Sequence, residues 1–212
     1  MPDNKSFDAV LMQFAKWPEA GRVKTRLMPA LGADGALAAH VNLTLAVLDN
    51  LCASGYPVQF WWDRELAQPP RDAGVILRNL ESAGLEQKTQ SGPTLGDRML
   101  AALDQALTGH SRAMVVGSDC PSVDPEYVRC AVARLTDYDV VLGPSDDGGY
   151  VLIGARRVVP GMLDGISWGT EAVLEQTCER LRQLGLTVNL LEPRWDVDEP
   201  EDWARFQTMK KA

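Results

Sequence analysis

The sequence predicts an α/β fold, a mostly parallel central sheet flanked by helices, and three observations carry that expectation. Apolar runs of strand length alternate with amphipathic helical stretches along most of the chain. Runs such as DAVLMQF and AMVV are apolar on consecutive positions, the pattern of strands buried on both faces. The charged motifs follow directly on strands, where an open α/β sheet places its ligands.

In chain order, the first strand is expected over residues 8–14, followed by the Pro/Gly/basic loop KWPEAGRVKTRLMPALG. A helix over residues 34–51 repeats Leu37, Val41, Leu45 and Leu48 at helical spacing, with Asp34 as its N-cap. Strands are expected at residues 57–62 and, weakly, 75–77, then a helix at 95–107, a strand at 112–116 and a helix at 124–135. Two further strands at 139–142 and 150–153, a helix at 171–184, a strand at 186–191 and a helix at 200–208 complete the chain. The absence of repeats, low-complexity tracts and polar linkers makes residues 1–212 one expected domain.

A formal net charge of -8 over 212 residues argues against a nucleic-acid partner, because such a protein needs Lys and Arg to neutralise phosphates. No apolar run is read as approaching the roughly 20 residues that span a bilayer, and the start of the chain lacks a signal-peptide pattern. The expected location is the cytoplasm. The cysteines, Cys52, Cys120, Cys130 and Cys178, form no CxxC pair, and with His40 and His110 as the only imidazoles a thiolate or imidazole zinc site is not expected.

Four motifs carry chemistry. The loop after the first strand gathers Lys16, Arg22, Lys24 and Arg26 in an otherwise acidic chain, with Gly21 for a tight turn, a composition suited to a polyphosphate or to a solvated basic loop. GSDCP ends the strand at 112–116 on Asp119, a carboxylate disposed to hold a hard divalent cation or to cap a turn. GPSDDGGYVLIG carries Asp146 and Asp147 before Gly148 and Gly149, so it reads either as a hairpin turn or as a ligand-facing loop whose acids bind a hydroxyl. In RWDVDEPEDW, Asp196 and Asp198 are read as pointing to opposite sides of an extended segment, so that one of them joins any single metal. Trp61 and Trp62 are assigned to the core, and Trp168 is a candidate wall of an acceptor pocket.

KWPEAGRVKTRL, GSDCP, GPSDDGGYVLIG, the Trp168-Gly169-Thr170 triplet and DVDEPEDW, in this order, resemble the DUF2064 family. That family comprises predicted GT-A type glycosyltransferases, also described as arsenosugar-biosynthesis-associated transferases. More remotely the motifs are similar to the nucleotidyltransferases of 2-phospho-lactate and molybdopterin. The resemblance implies a Rossmann-like GT-A (nucleotide-diphospho-sugar transferase) fold, with Mg²⁺ or Mn²⁺ held by Asp119 and Asp198. It implies nucleotide or phosphate contacts from Gly21, Lys24, Arg26, Gly92 and Arg98. Asp146 or Asp147 is then the candidate base, and Gly148, Gly149 and Trp168 form the acceptor pocket. Typical GT-A enzymes carry Asp-x-Asp, whereas Cys120 and Pro121 follow Asp119 here, and a single carboxylate is supplied locally.

The implied activity is transfer from a nucleotide-diphospho-sugar to a small-molecule acceptor, without nucleic acid or a membrane span. An exposed helix face could support a homodimer. Condensation of a nucleoside triphosphate with a phosphorylated acceptor, and noncatalytic nucleotide binding, are the alternatives.

Overall fold

The computed structural model describes residues 8–209; the first seven residues, part of the segment read against a signal peptide, and the last three lie outside the described residues. Seven strands form one sheet: β1 (Ala9–Ala15), β2 (Val58–Trp62), β3 (Glu86–Thr89), β4 (Arg112–Gly117), β5 (Val140–Pro144), β6 (Tyr150–Ala155) and β7 (Val188–Leu190). Their order is β3-β2-β1-β4-β6-β5-β7. The connections explain the directions. Helices separate β1, β2, β3, β4, β5 and β7, and these run parallel, whereas β5 and β6 are joined by a tight turn, so β6 runs antiparallel to β5 and β4.

The period-two geometry of the strands divides the core between the two faces. Leu11, Phe60, Trp62, Met114 and Val116 face α1 (Met28–Ala53), α2 (Gly74–Ser82) and α4 (Pro125–Arg134) through Leu51, Ile76, Leu80, Val128 and Leu135. Val10, Met12, Phe14, Val115 and Ile153 face α3 (Leu95–Leu107) and α5 (Val173–Gln183) through Met99, Leu103 and Leu181. A third cluster joins Leu27, Ala36, Ala39 and Leu43 to Trp195, Val197 and Phe206, the last on α6 (Pro200–Met209). This cluster brings the segment after β7 back across the sheet toward β4.

Three expectations are corrected. Residues 75–77 lie in α2, where Ile76 and Leu80, four apart, bury one helical face. The third strand is instead the polar run Glu86–Thr89 at the sheet edge, whose side chains are exposed or partly so and therefore show no apolar pattern. α1 begins at Met28, earlier than the Asp34 start read from the sequence, and is interrupted at Gly32 (φ 71°, ψ 173°). Among the described residues, Thr25–Ala53 is the one helix long and apolar enough to cross a membrane by length and composition, which corrects the reading that no run approaches that length. In this structure its apolar side chains pack on the sheet and on the third cluster.

Asp139 ties the far side of the sheet together. It is 6% exposed, and its Oδ2 accepts from the Thr187 backbone N-H and hydroxyl, both at 2.9 Å. Its Oδ1 accepts from Arg156 Nε at 3.1 Å, with Arg157 at 3.2 Å. Burial disfavours the charge, but the Thr187 donors and the arginines outweigh it and hold the carboxyl below its ordinary range. Because that pKa is depressed in the folded state, the contribution is complete above the unfolded value of about 4 and is lost as the pH falls through the folded one. Asp139→Asn is expected to cost about 2–3 kcal/mol at pH 7 in urea unfolding, with the difference from wild type shrinking below about pH 4. A difference that persists unchanged in acid would show that the carboxylate charge is not what stabilises this corner.

Candidate active site

The carboxyl ends of the parallel strands and the amino end of β6 share one edge of the sheet. β4 ends there on Gly117, where even a Cβ would lie 3.0 Å from Asp119 Oδ1, so a bare backbone lets the chain turn. Ser118 is buried and donates to the Phe14 carbonyl at 2.8 Å while accepting from Gln13 Nε2 at 3.0 Å. These buried bonds set the direction of the next side chain, Asp119.

Lys24 meets it from the β1 loop. Its ammonium lies 2.9 Å from Asp119 Oδ2, 3.5 Å from Asp198 Oδ1 and 2.5 Å from the Val197 carbonyl. Arg26 Nη1 reaches Asp198 Oδ2 at 2.6 Å from the solvent side. The loop itself is anchored by Trp17, which stacks on Trp62 at 3.6 Å and whose backbone N-H donates to Asp63 Oδ1 at 2.9 Å. Trp61 and Trp62 are both 3% exposed, as the sequence indicated.

The segment after β7 arrives through an Arg194 N-H to Pro144 O bond of 2.8 Å and a Val197 N-H to Asp119 O bond of 2.9 Å. Trp195 and Val197 are buried, and the intervening Asp196 and Asp198 both line the cleft with Asp119. This overturns the reading that the two acids diverge. Residues two apart on an extended segment share a side, so the spacing itself was the missed signal for Asp196.

The cleft, about 1350 Å³, is also lined by Arg26, by Asp146, Asp147, Gly148 and Gly149 of the β5–β6 turn, and by Trp168. Its apolar walls include Phe14, Met99, Val115 and Ile153, with Tyr150 edge-on to Trp168 at 6.2 Å between ring centres. The hairpin reading of GPSDDGGYVLIG holds, and the same turn lines the cleft. The Ser145 N-H donates to the Gly149 carbonyl at 3.1 Å, closing a turn that faces the cleft. Gly148 has φ 85°, and a Cβ there would lie 2.3 Å from the Glu171 carbonyl, so the turn seats on the segment preceding α5 only as glycine. Asp147 Oδ1 accepts from the Gly149 N-H at 3.1 Å and from the Ser145 hydroxyl. Asp146 is exposed at the mouth, and no hydrogen-bond partner for its side chain is found among the described residues.

Three residues that the resemblance assigns to the nucleotide lie apart from this cleft. Gly21 turns the exposed loop at φ 77°. Arg98 donates to the Gly92 carbonyl at 3.1 Å and the Asp63 carbonyl at 3.3 Å, joining the end of β2 to the start of α3. Gly92 has no room for a Cβ, which would meet Asp97 Cβ at 2.6 Å.

Burial works against both charges of the central pair, yet each partner outweighs it: Lys24 is held above its ordinary pKa by Asp119, then Asp198 and Asp196, and Asp119 is held below its own by Lys24. One lysine does not balance three acids. Asp196, disfavoured as an anion by burial and then by Asp119 and Asp147, is pushed up to about 7.

Among the described residues no three acid, histidine or cysteine side chains group closely enough to hold a metal on their own. The oxygens of Asp119 and Asp198 already surround one cation, the Lys24 ammonium, and they are the donor type that Mg²⁺ and Mn²⁺ take. The residues therefore fit such an ion, provided that ligand oxygens or water complete its shell.

The DUF2064 family model, described as an uncharacterized protein conserved in bacteria, matches residues 55–170. The chain belongs to this family. None of the curated proteins matches it. A Desulfovibrio desulfuricans G20 structure, assigned provisionally as a nucleotide-diphospho-sugar transferase, is 32% identical over 91% of this DUF2064 chain and 83% of its own, with a TM-score of 0.81. A nucleotidyl transferase from Methanothermobacter thermautotrophicus is 13% identical over 96% of this chain and 99% of its own, with a TM-score of 0.62. A Mycobacterium tuberculosis H37Rv protein in complex with manganese is 15% identical over 94% and 97%, with a TM-score of 0.54. The last two share the fold, and the Desulfovibrio structure bears out the nucleotide-diphospho-sugar transferase architecture of this DUF2064 chain.

A carboxyl group whose pKa is raised in the folded state destabilises the fold increasingly as pH rises from its unfolded value, about 4, to its folded value, about 7. Asp196→Asn should therefore melt at a higher temperature than wild type above pH 7 and at nearly the same temperature near pH 4. A gain that is equal at both pH values would rule out the crowded carboxylates as its cause.

Proposed function

We infer that the protein is a transferase acting on a nucleotide-activated donor, and specifically a GT-A glycosyltransferase that takes a nucleotide-diphospho-sugar and Mg²⁺ or Mn²⁺. The observation that carries this reading is how charge is distributed along the cleft. Cations stand at one end, Lys24 below and Arg26 above Asp198. Asp119 and Asp198 pair with these cations, the other lining acids are Asp146, Asp147, Glu171 and Asp196, and among the described residues that line the cleft Arg26 is the only cation. A diphosphate suits the cationic end. A phosphorylated acceptor, which nucleotidyl transfer to such a compound requires, would face carboxylates with no cation to pair. A neutral sugar and a hydroxyl acceptor suit the same surface, since carboxylates accept from hydroxyl groups and Trp168 offers an aromatic face. The Desulfovibrio relative, 32% identical, supports the donor class, and the manganese complex of the mycobacterial structure supports the choice of ion to test.

In this mechanism Lys24 and Arg26 pair with the diphosphate oxygens and stabilise the charge that grows on the leaving nucleotide. Asp119 and Asp198 would hold the divalent ion, which when bound adds neutralising charge at the same diphosphate. The apolar walls, Phe14, Met99 and Val115, exclude water from one side of the sugar. Trp168 and the Gly148-Gly149 backbone border the acceptor, and a carboxylate of the β5–β6 turn takes the proton from its hydroxyl. Asp146 suits that task better than Asp147, whose oxygen is already engaged in closing the turn.

The test is a thermal-shift panel of UDP-, GDP-, ADP- and CDP-sugars beside the nucleoside triphosphates, each with and without Mn²⁺. One diphospho-sugar at 100 times its dissociation constant should stabilise wild type by about 2.7 kcal/mol in the presence of Mn²⁺, and Asp119→Ala should lose the shift. A shift by a triphosphate alone would replace glycosyl with nucleotidyl transfer, and silence across the panel would leave a fold without the chemistry. Once a donor and acceptor are in hand, Asp146→Asn is expected to lower kcat about 10²–10⁴-fold with an unchanged melting temperature. Full activity in that variant would remove Asp146 from the role of base.

A further inference from the structure

Lys24 is placed as a cation is placed in an oxygen site. Its ammonium has Asp119 Oδ2 at 2.9 Å, the Val197 carbonyl at 2.5 Å and Asp198 Oδ1 at 3.5 Å, and its side chain is 6% exposed. Two carboxylates and a peptide carbonyl are the donors that a hard divalent ion also takes. The backbone bears the mark of the same contacts. Among the described residues Lys24 is the only non-glycine at positive φ, 45°, a conformation that persists where surrounding contacts over-determine it. Those contacts are the same oxygens, drawn from the end of β4 and from the segment after β7.

An ammonium and a divalent ion cannot use these oxygens together, because like charges a few ångströms apart in a half-buried site repel strongly. The two must alternate. A diphosphate would resolve the conflict by offering the ammonium a new set of anionic oxygens beside Arg26, and the flexible stem of lysine lets the charge swing without moving the loop.

Resting on the metal-dependent reading above, we propose that Lys24 is a stand-in for the divalent cation, holding Asp119 and Asp198 together until a nucleotide draws it away. Metal and nucleotide then bind as a pair. Each favours the other by the same factor, as linkage requires, and the carboxylates are never left without a counter-charge. The free ion, common in the cell, does not trap the site in a form that lacks its donor.

The experiment is a titration with Mn²⁺, followed by the electron paramagnetic resonance signal of the free ion, alone and with the nucleoside diphosphate among UDP, GDP, ADP and CDP that stabilises the protein most. Wild type should bind Mn²⁺ about tenfold or more tightly when the nucleotide is present. Lys24→Met should bind Mn²⁺ alone about tenfold more tightly than wild type and lose most of the nucleotide dependence. Lys24→Gln, which keeps a donor to the Val197 carbonyl, should behave in the same way, and melting curves check that each variant folds. Equal Mn²⁺ affinity in wild type with and without nucleotide overturns the proposal whatever the variants do. So does Mn²⁺ binding by a folded Lys24 variant that is no tighter than wild type, since Lys24 would then only position the carboxylates. If wild type binds nucleotide but never Mn²⁺, the metal-dependent reading itself falls, an outcome distinct from either of these.

Discussion

The contact on which the rest of the site depends is the one between Lys24 and the two carboxylates, Asp119 and Asp198. It joins three parts of the chain distant in sequence: the loop after β1, the end of β4 and the segment after β7. Without the ammonium, Asp119, Asp196 and Asp198 would face one another across a half-buried edge, and removing one partner of such a group costs more than the pair contributes. With it, the local excess of negative charge is small enough to be carried by one strained acid, Asp196, whose proton affinity rises instead. The site is therefore held in a charged but nearly balanced state, in which the arrival of a cation and the arrival of an anion are natural counterparts.

Much of this was legible in the sequence, for physical reasons that differ from element to element. Strands such as Ala9–Ala15 are buried at every position and apolar at all but Gln13 because both faces are covered, and this made them plain. The helix starts expected at residues 95 and 124 lie at or within one residue of the starts of α3 and α4, where the Thr94–Asp97 capping box and the Asp124 cap are found. β3 was not legible, since an exposed edge strand with the sequence EQKT buries nothing and carries no pattern. The break in α1 at Gly32 shifted its apparent start, because a glycine at positive φ ends one helical register and begins another.

The site divides along a similar line. Asp119, Asp146, Asp147 and Trp168 could be named because each closely follows a strand or stands beside a glycine, and Arg26 because it belongs to a cluster of cations in an acidic chain. What residue spacing could not supply was the third dimension of the segment after β7. That Asp196 shares a side with Asp198 was in their spacing; that this side is the cleft follows from Trp195 and Val197 being buried on the other, a fact of tertiary packing. Gly92 and Arg98 show the converse. They stand outside the cleft, where Arg98 donates to the Gly92 and Asp63 carbonyls and so staples β2 to α3.

The reversal of β6 gives the cleft its polarity. Were β6 parallel to its neighbours, the connection from β5 would cross to the opposite edge of the sheet, and no turn would stand beside Asp119. Because β5 and β6 form a hairpin, Asp146, Asp147, Gly148 and Gly149 are delivered to the same edge as the basic loop. The Leu174 N-H donates to the Gly148 carbonyl at 2.9 Å, so the hairpin also fixes the segment that carries Trp168 to Val173 as the far wall. One antiparallel strand thus places a carboxylate-rich, aromatic-walled surface opposite the cations of the β1 loop. On the reading proposed above, a ligand spanning both is anionic at one end and rich in hydroxyl groups at the other, the chemical form of a nucleotide-activated sugar.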